Sequence, residues 1–464
     1  MLRLLGLFAT TTAALVACVV TSADAGFDLE TSFATKTAYW DQADDKFADK
    51  IKHLVKELDE DEEKRYTLVQ VQQVVRHGTR FPTESNIEEI TEFVTRLQAN
   101  YSNVLPKWLR SYKMPFNVSV EGLLAPTGVK ELQEFGKRTR ASVAKALPSE
   151  FTSDKFILQH TYKPRTKLSA TSFASSFFSN PQNVTYIEYS KKNDPLLRFY
   201  DQCPRYERDV GENPEALAEL TKYKQTLSYQ KNIDTLRKAL NLPTSANLTT
   251  LDVESAFSAC AFDLALYKTK ENWCSLLTKD FIKSAEYAEE LETFYESGAG
   301  FKINYEMSAV LLQDVFKFMK NFANNKTQVV GNFRFSHAET TLPLMTLLGY
   351  ADKTPLLASF TAKEINQRKF RASRLAPFMA NIEFRLYKKN KSKDDDDDDD
   401  DDEEDQSEKQ VAAKKEKFYV QIRINEQVTL VPGCDDEIFC DLSEVEQIWS
   451  YYLTQYNFEQ DCKI

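Results

Sequence analysis

The chain has 464 residues, with 59 basic and 70 acidic side chains for a formal net charge of −11, and is 42% hydrophobic. That balance excludes a disordered or collagen-like polypeptide and leaves enough apolar surface for two or three domains, or for one large domain with an insertion. Twelve of the acids form one unbroken run, Asp394 to Asp405; without it the chain is close to neutral, so an anionic substrate is not excluded and no broad nucleic-acid surface is indicated.

The first residues read as an export signal. Arg3 precedes an apolar stretch from Leu4 to Val20, and Ala23-Asp24-Ala25 offers a small-x-small cleavage site. A signal peptide over 1–25 and a mature start near Gly26 are expected, with an uncleaved anchor as the alternative. No later window is apolar enough to span a membrane, and Gln460-Asp461-Cys462-Lys463-Ile464 is neither a lipid-anchor tail nor a retention signal. Secretion is the expectation, with the cell surface, the ER lumen or another secretory compartment as alternatives. Beyond Cys18, six cysteines remain (Cys203, Cys260, Cys274, Cys434, Cys440 and Cys462), an even number that suits three disulfides in an exported chain. No zinc-finger spacing occurs, so no metal is expected. Six sequons, at Asn100, Asn117, Asn183, Asn247, Asn325 and Asn390, are candidate glycan acceptors.

After a charged N-terminal segment over 26–65, Thr67–Val75 is apolar and β-branched enough for a buried strand and runs into Arg76-His77-Gly78-Thr79-Arg80-Phe81-Pro82. A second short strand is predicted over Phe156–Gln159, followed by Arg165 and a helix over Leu168–Phe178. A third, Val329–Phe335, ends in Ser336-His337-Ala338-Glu339, and a helix over Thr340–Leu348 follows with Gly349 as its C-cap. Three strand ends thus deliver His or Arg side chains, where open α/β sheets build their sites. Residues 186–305 read as a mostly helical inserted cap, clearest over Glu215–Leu240 and Ser284–Tyr295, between core parts over 66–185 and 306–464. Asn381–Tyr387 and Phe418–Ile424 alternate like two paired strands, and the acidic run between them, inside a loop over 390–412, is expected to be disordered. The expected fold class is α/β, a mixed central sheet flanked by helices with an α-helical cap.

The first motif carries chemistry. A neutral imidazole is a good nucleophile near pH 7, and neighbouring guanidinium groups oppose its protonation while matching phosphate oxygens with paired hydrogen bonds. Attack by His77 on phosphorus, with Arg76, Arg80 and Arg165 holding the phosphoryl oxygens, would form a phosphohistidine. Glu339 is placed to protonate the leaving alkoxide, and His337, just before a helix, to donate to the same phosphate. His53 and His160 belong to no such motif and read as ordinary core or surface residues.

Arg76-His77-Gly78-Thr79-Arg80-Phe81-Pro82-Thr83 resembles the motif of the branch-2 histidine phosphatases, the histidine acid phosphatases and phytases. His337-Ala338-Glu339-Thr340 resembles the version in multiple inositol polyphosphate phosphatases, where His-Ala-Glu replaces the commoner His-Asp. Further matches are Gly122 to Gly128, Arg165 with Ser169-Ala170, Leu197 to Cys203, Trp273 to Leu276, Asn425-Glu426 and Pro432-Gly433-Cys434. The resemblance implies an α/β core with a helical cap, phosphate release from phytate and lower inositol phosphates, no cofactor, and a substrate contact for Thr83. It also implies disulfides Cys203 to Cys462, Cys260 to Cys274 and Cys434 to Cys440, the last two also favoured by spacing. Partners reduce to a small anionic substrate. Alternative readings are a broad acid phosphatase, a 2,3-bisphosphoglycerate phosphatase or mutase-like phosphoryl-transfer enzyme, and a non-catalytic polyanion-binding surface protein, which would need neither His77 nor Glu339.

Overall fold

The computed structural model describes residues 27–39, 65–390, 416–435 and 437–464. The expected export signal, His53 and the acidic run lie outside the described residues. Among the described residues, eight strands form one mixed sheet: β1 (Tyr66–Arg76), β2 (Phe156–His160), β3 (Ile187–Glu188), β4 (Gly331–Ser336), β5 (Asn381–Lys389), β6 (Phe418–Ile424), β7 (Gln427–Thr429) and β8 (Cys440–Asp441). Their order is β3-β2-β4-β1-β5-β6-β7, with β8 also paired to β6. β3, β2, β4 and β1 run parallel, whereas β5 turns antiparallel against β1 and begins an antiparallel half with β6.

The predicted strands and the pair Asn381–Tyr387 with Phe418–Ile424 all form, with Ile382 opposite Ile424. Pleating sends Val71 and Val75 of β1 to one face, with Phe333 and Phe335 of β4, and Val74 to the other, with Ile382 and Phe384 of β5. The first face is covered by α2 (Pro126–Ser142) and α3 (Pro164–Phe177), after α1 (Glu84–Tyr101). The second is covered by α6 (Ala309–Ala323) and α7 (Ala338–Leu348), which follow α4 (Thr250–Tyr267) and α5 (Lys279–Glu296) in the chain. The polar residues that interrupt the apolar pattern of β1 are paired inside: Gln72 Nε2 donates to Val315 O at 2.8 Å, and buried Arg334 of β4 reaches Asp314 at 2.6 Å and Gln72 at 3.0 Å.

Two helix boundaries differ from the sequence pattern. α3 begins at Pro164, not at Leu168, because proline at the first helical position loses no hydrogen bond there, and Arg165 therefore sits in the first turn. The stretch Glu215–Leu240 is broken into Pro214–Leu217, Ala218–Lys224 and Leu227–Ala239, because Thr226 turns its hydroxyl to accept from Tyr229 N–H at 3.2 Å and caps a new start. α7 ends at Gly349 as expected, with φ +97°.

A large apolar cluster joins α4 and α5 to α1, to Phe33 and Ala34 of the N-terminal segment, and to Phe370, Ala372 and Ala376. Three disulfides are formed, Cys203–Cys462, Cys260–Cys274 and Cys434–Cys440. All six sequon asparagines are exposed. No helix among the described residues is long and apolar enough to cross a membrane.

Candidate active site

Sheet register brings the two motifs together. Arg76 pairs with Ser336 at the level ends of parallel β1 and β4, so the next residues, His77 and His337, emerge side by side. His77 N–H still bonds Ser336 O at 2.9 Å, and the two imidazoles meet edge to face with centroids 5.6 Å apart. Both rings are buried, 3% and 1% exposed. His337 is the N-cap residue of α7, and Glu339 stands exposed in that helix's first turn.

The tautomer of His77 follows from its partner. Nδ1 lies 2.9 Å from Gly78 O, a carbonyl that can only accept, so Nδ1 carries the proton of the neutral ring and Nε2 keeps its lone pair. Burial, then Arg165, Arg76, His337 and Arg80, hold this histidine well below its usual pKa, so the ring is neutral at physiological pH. That is the state a nucleophile needs.

The loop carrying His77 is clamped. A Cβ on Gly78 would stand 2.8 Å from Gly128 O of α2 and 2.5 Å from the Leu132 side chain, so only glycine allows the approach. Gly78 N–H reaches Ser169 Oγ of α3 at 3.3 Å. Glu131 of α2 accepts from both Thr79 N–H, at 2.9 Å, and Thr79 Oγ1, at 2.8 Å. Burial raises the pKa of Glu131, and the two Thr79 hydrogen bonds oppose that rise.

Around the His77 imidazole stand three arginines, and Arg198 acts on His337 as well. Arg76 is 4% exposed, donates through one terminal nitrogen to Thr35 O at 2.6 Å and Ala376 O at 2.7 Å, and lies 4.6 Å over the Phe378 ring. Arg80 donates to Phe81 O at 3.0 Å, and Arg165 reaches His337 Nδ1 at 3.4 Å. The Nε atoms of Arg76 and Arg165 are buried without a hydrogen-bond partner among the described residues. Burial, outweighing the pull of Glu339, and the two neighbouring arginines lower Arg76 to about 9, and burial with Arg165 lowers Arg80 to about 10. Three crowded guanidinium groups, two of them with an unpartnered buried Nε, have the chemistry of an anion site, fitted to phosphate by their planar donor arrays.

The structure thus gathers Arg76, His77, Arg80, Arg165, His337 and Glu339. Glu339 acts electrostatically on Arg76, Arg80 and Arg165 but makes no hydrogen bond among the described residues. Thr83 is the N-cap residue of α1, with its hydroxyl 3.0 Å from Asn86 Oδ1 and 3.1 Å from Ser85 Oγ. His160 stays with β2, its Nδ1 2.8 Å from Thr161 O. Residue patterns missed the Thr35 and Ala376 carbonyls that hold Arg76 and the Glu131 brace on Thr79. Carbonyls carry no sequence signal, and Glu131 looks like any helix-surface acid. Among the described residues, Cys434, Cys440 and Glu444 group at metal-ligand distance, but both sulfurs are spent in a disulfide.

A mixed sheet with a paired imidazole and arginine cluster at its parallel strand ends defines a histidine phosphatase. The family model of the histidine phosphatase superfamily (branch 2) matches residues 67–425, and the chain belongs to that family, as a phosphoric monoester hydrolase. Among curated relatives, multiple inositol polyphosphate phosphatase 1 of Gallus gallus is 28% identical over 85% of this chain and 84% of its own length, and that of Homo sapiens is 29% identical over 78% and 75%. The fold matches the phytase from D. castellii with a TM-score of 0.67 at 18% identity, over 86% of this chain and 82% of that one. It also matches Bifidobacterium longum multiple inositol polyphosphate phosphatase in complex with inositol hexasulfate, with a TM-score of 0.66 at 14% identity, over 94% and 100%.

Proposed function

We propose that the protein is a secreted phosphomonoesterase that hydrolyses inositol polyphosphates, phytate and its less phosphorylated products, through a phosphohistidine on His77. The observation that carries the reading is the neutral His77 ring, with its proton fixed on Nδ1 by Gly78 O, beside three arginines, two of which keep a buried Nε without a partner among the described residues. Nε2 attacks phosphorus, a P–N bond forms, and the bond from phosphorus to the inositol oxygen breaks, its electron pair leaving on that oxygen. Arg76, Arg80 and Arg165 stabilise the charge spread over the equatorial oxygens, which is the largest help available for so slow a reaction. Glu339 gives its proton to the departing alkoxide. Water then attacks phosphorus, returns a proton to Glu339 and frees the imidazole, releasing inorganic phosphate.

The substrate class rests on the relatives named for inositol polyphosphates and on the crowded positive charge of the site. Export is supported by the apolar N-terminal stretch, the three disulfides and the six exposed sequons. Phosphate release from phytate, with products separated by chromatography, tests the reading against His77→Ala. The wild type should release phosphate stepwise, and the variant should bind phytate without turnover. Retained turnover in His77→Ala would remove the nucleophile assignment, and turnover of simple aryl phosphates alone would replace the substrate class with that of a broad acid phosphatase.

A further inference from the structure

The third parallel strand end delivers a residue with no role in the reading above. Thr161, directly after β2, is fully buried, and its hydroxyl lies 2.9 Å from His337 Nε2 and 2.9 Å from Thr166 Oγ1. Thr166 Oγ1 lies 2.8 Å from Lys163 O and 3.0 Å from Thr161 O, so its own proton has an acceptor in either direction. On the opposite edge of the imidazole, Arg165 reaches Nδ1 at 3.4 Å. Burial and the neighbouring Arg165 keep the His337 ring neutral, and a guanidinium group only donates, so Nδ1 is the acceptor and the ring proton sits on Nε2, given to Thr161. In that tautomer His337 has nothing to donate to a phosphoryl oxygen from Nδ1. It could do so only if Nε2 were bare and accepted a hydrogen bond instead.

We infer that Thr161 is a positioning residue that lets His337 exchange tautomers. Its hydroxyl accepts from Nε2–H in the free enzyme and donates to Nε2 once a phosphoryl group draws Arg165 away and engages Nδ1–H. The exchange moves one ring proton from Nε2 to Nδ1 through water and leaves the net protonation unchanged. Both states keep every buried hydroxyl paired: the chain His337 to Thr161 to Thr166 to Lys163 O runs outward in one state, and Thr166 donates to Thr161 and Thr161 to His337 in the other. Thr161→Val, of the same shape, can neither accept nor donate and leaves Nε2 unpaired in both states, whereas Thr166→Val removes the acceptor of the Thr161 proton and turns that hydroxyl toward Nε2.

The inference rests on the phosphatase reading, and its test separates the two. Selective ¹⁵N-histidine labelling, with His337 assigned by its replacement, reads the ring tautomer before and after saturation with inorganic phosphate, without turnover. The proton should move from Nε2 to Nδ1 in the wild type and in Thr161→Ser, and in Thr166→Val it should already stand on Nδ1 in a larger share of molecules before phosphate is added. An unchanged tautomer in the wild type, or a phosphate-free Thr166→Val identical to the wild type, overturns the inference. In parallel, kcat on phytate and on p-nitrophenyl phosphate should fall about tenfold to a hundredfold in Thr161→Val and stay within about threefold in Thr161→Ser. Equal losses in both variants also overturn it, since they would mark Thr161 as mere packing. A wild type that releases no phosphate from phytate defeats the substrate reading, while the tautomer measurement still decides the role of Thr161.

Discussion

Gly78→Ala puts the link between backbone approach and chemistry to a direct test. The new Cβ would stand 2.8 Å from Gly128 O and 2.5 Å from Leu132 Cδ2, where ordinary contact begins at 3.4 Å. The leucine can rotate, but the carbonyl belongs to α2, so the loop must retreat by about half an ångström or more. Overpacking of this kind costs about 1–3 kcal/mol of stability. The larger consequence is catalytic. Gly78 O fixes the His77 tautomer and Gly78 N–H ties the loop to Ser169, so a shift of the loop moves the imidazole out of line with phosphorus. A misplacement approaching 1 Å costs on the order of 100-fold in rate. The variant should therefore melt only a few degrees below the wild type by circular dichroism, while kcat/KM for p-nitrophenyl phosphate falls about 10- to 100-fold. A folded variant with kcat/KM within threefold of wild type would show that the close approach to α2 does not set the position of His77.

Glu339→Gln should slow phytate hydrolysis by about 100-fold or more but p-nitrophenyl phosphate by less than about tenfold, because a good leaving group needs little protonation; equal losses would count against a proton donor. Protonation of His77 destroys the nucleophile, and burial with the surrounding arginines lowers its pKa, so the acid-side loss of kcat/KM attributable to this ring should begin well below pH 6.5. An acid limb at or above pH 6.5, or one that does not move to higher pH when the charge of Arg165 is removed, would contradict that environment. The Cys203–Cys462 bridge spans 259 residues and Cys260–Cys274 spans 14, so chain entropy assigns them about 5.5 and about 3 kcal/mol. Cys462→Ser should accordingly lower the melting temperature more than Cys274→Ser in thermal scans, and the reverse order would place the stabilisation elsewhere.

The local signals carried far in this chain. Apolar, β-branched runs ending at Arg76 and Ser336 located two central strands, and Gly349 located the end of α7, because periodicity and glycine conformations act within a few residues. The residue types of the two motifs were enough to expect a nucleophile and a phosphate cradle. Their convergence was a matter of register: Arg76 faces Ser336 across strands separated by most of the chain, and no local pattern encodes that pairing. The same holds for α1, whose amphipathic pattern does not reveal that it packs on α4, and for Thr35 O, Ala376 O and Glu131, which hold the reactive loop from distant segments. Chemistry is written in side-chain identity and can be read one residue at a time. Geometry depends on which surfaces bury each other, and only the folded chain decides that.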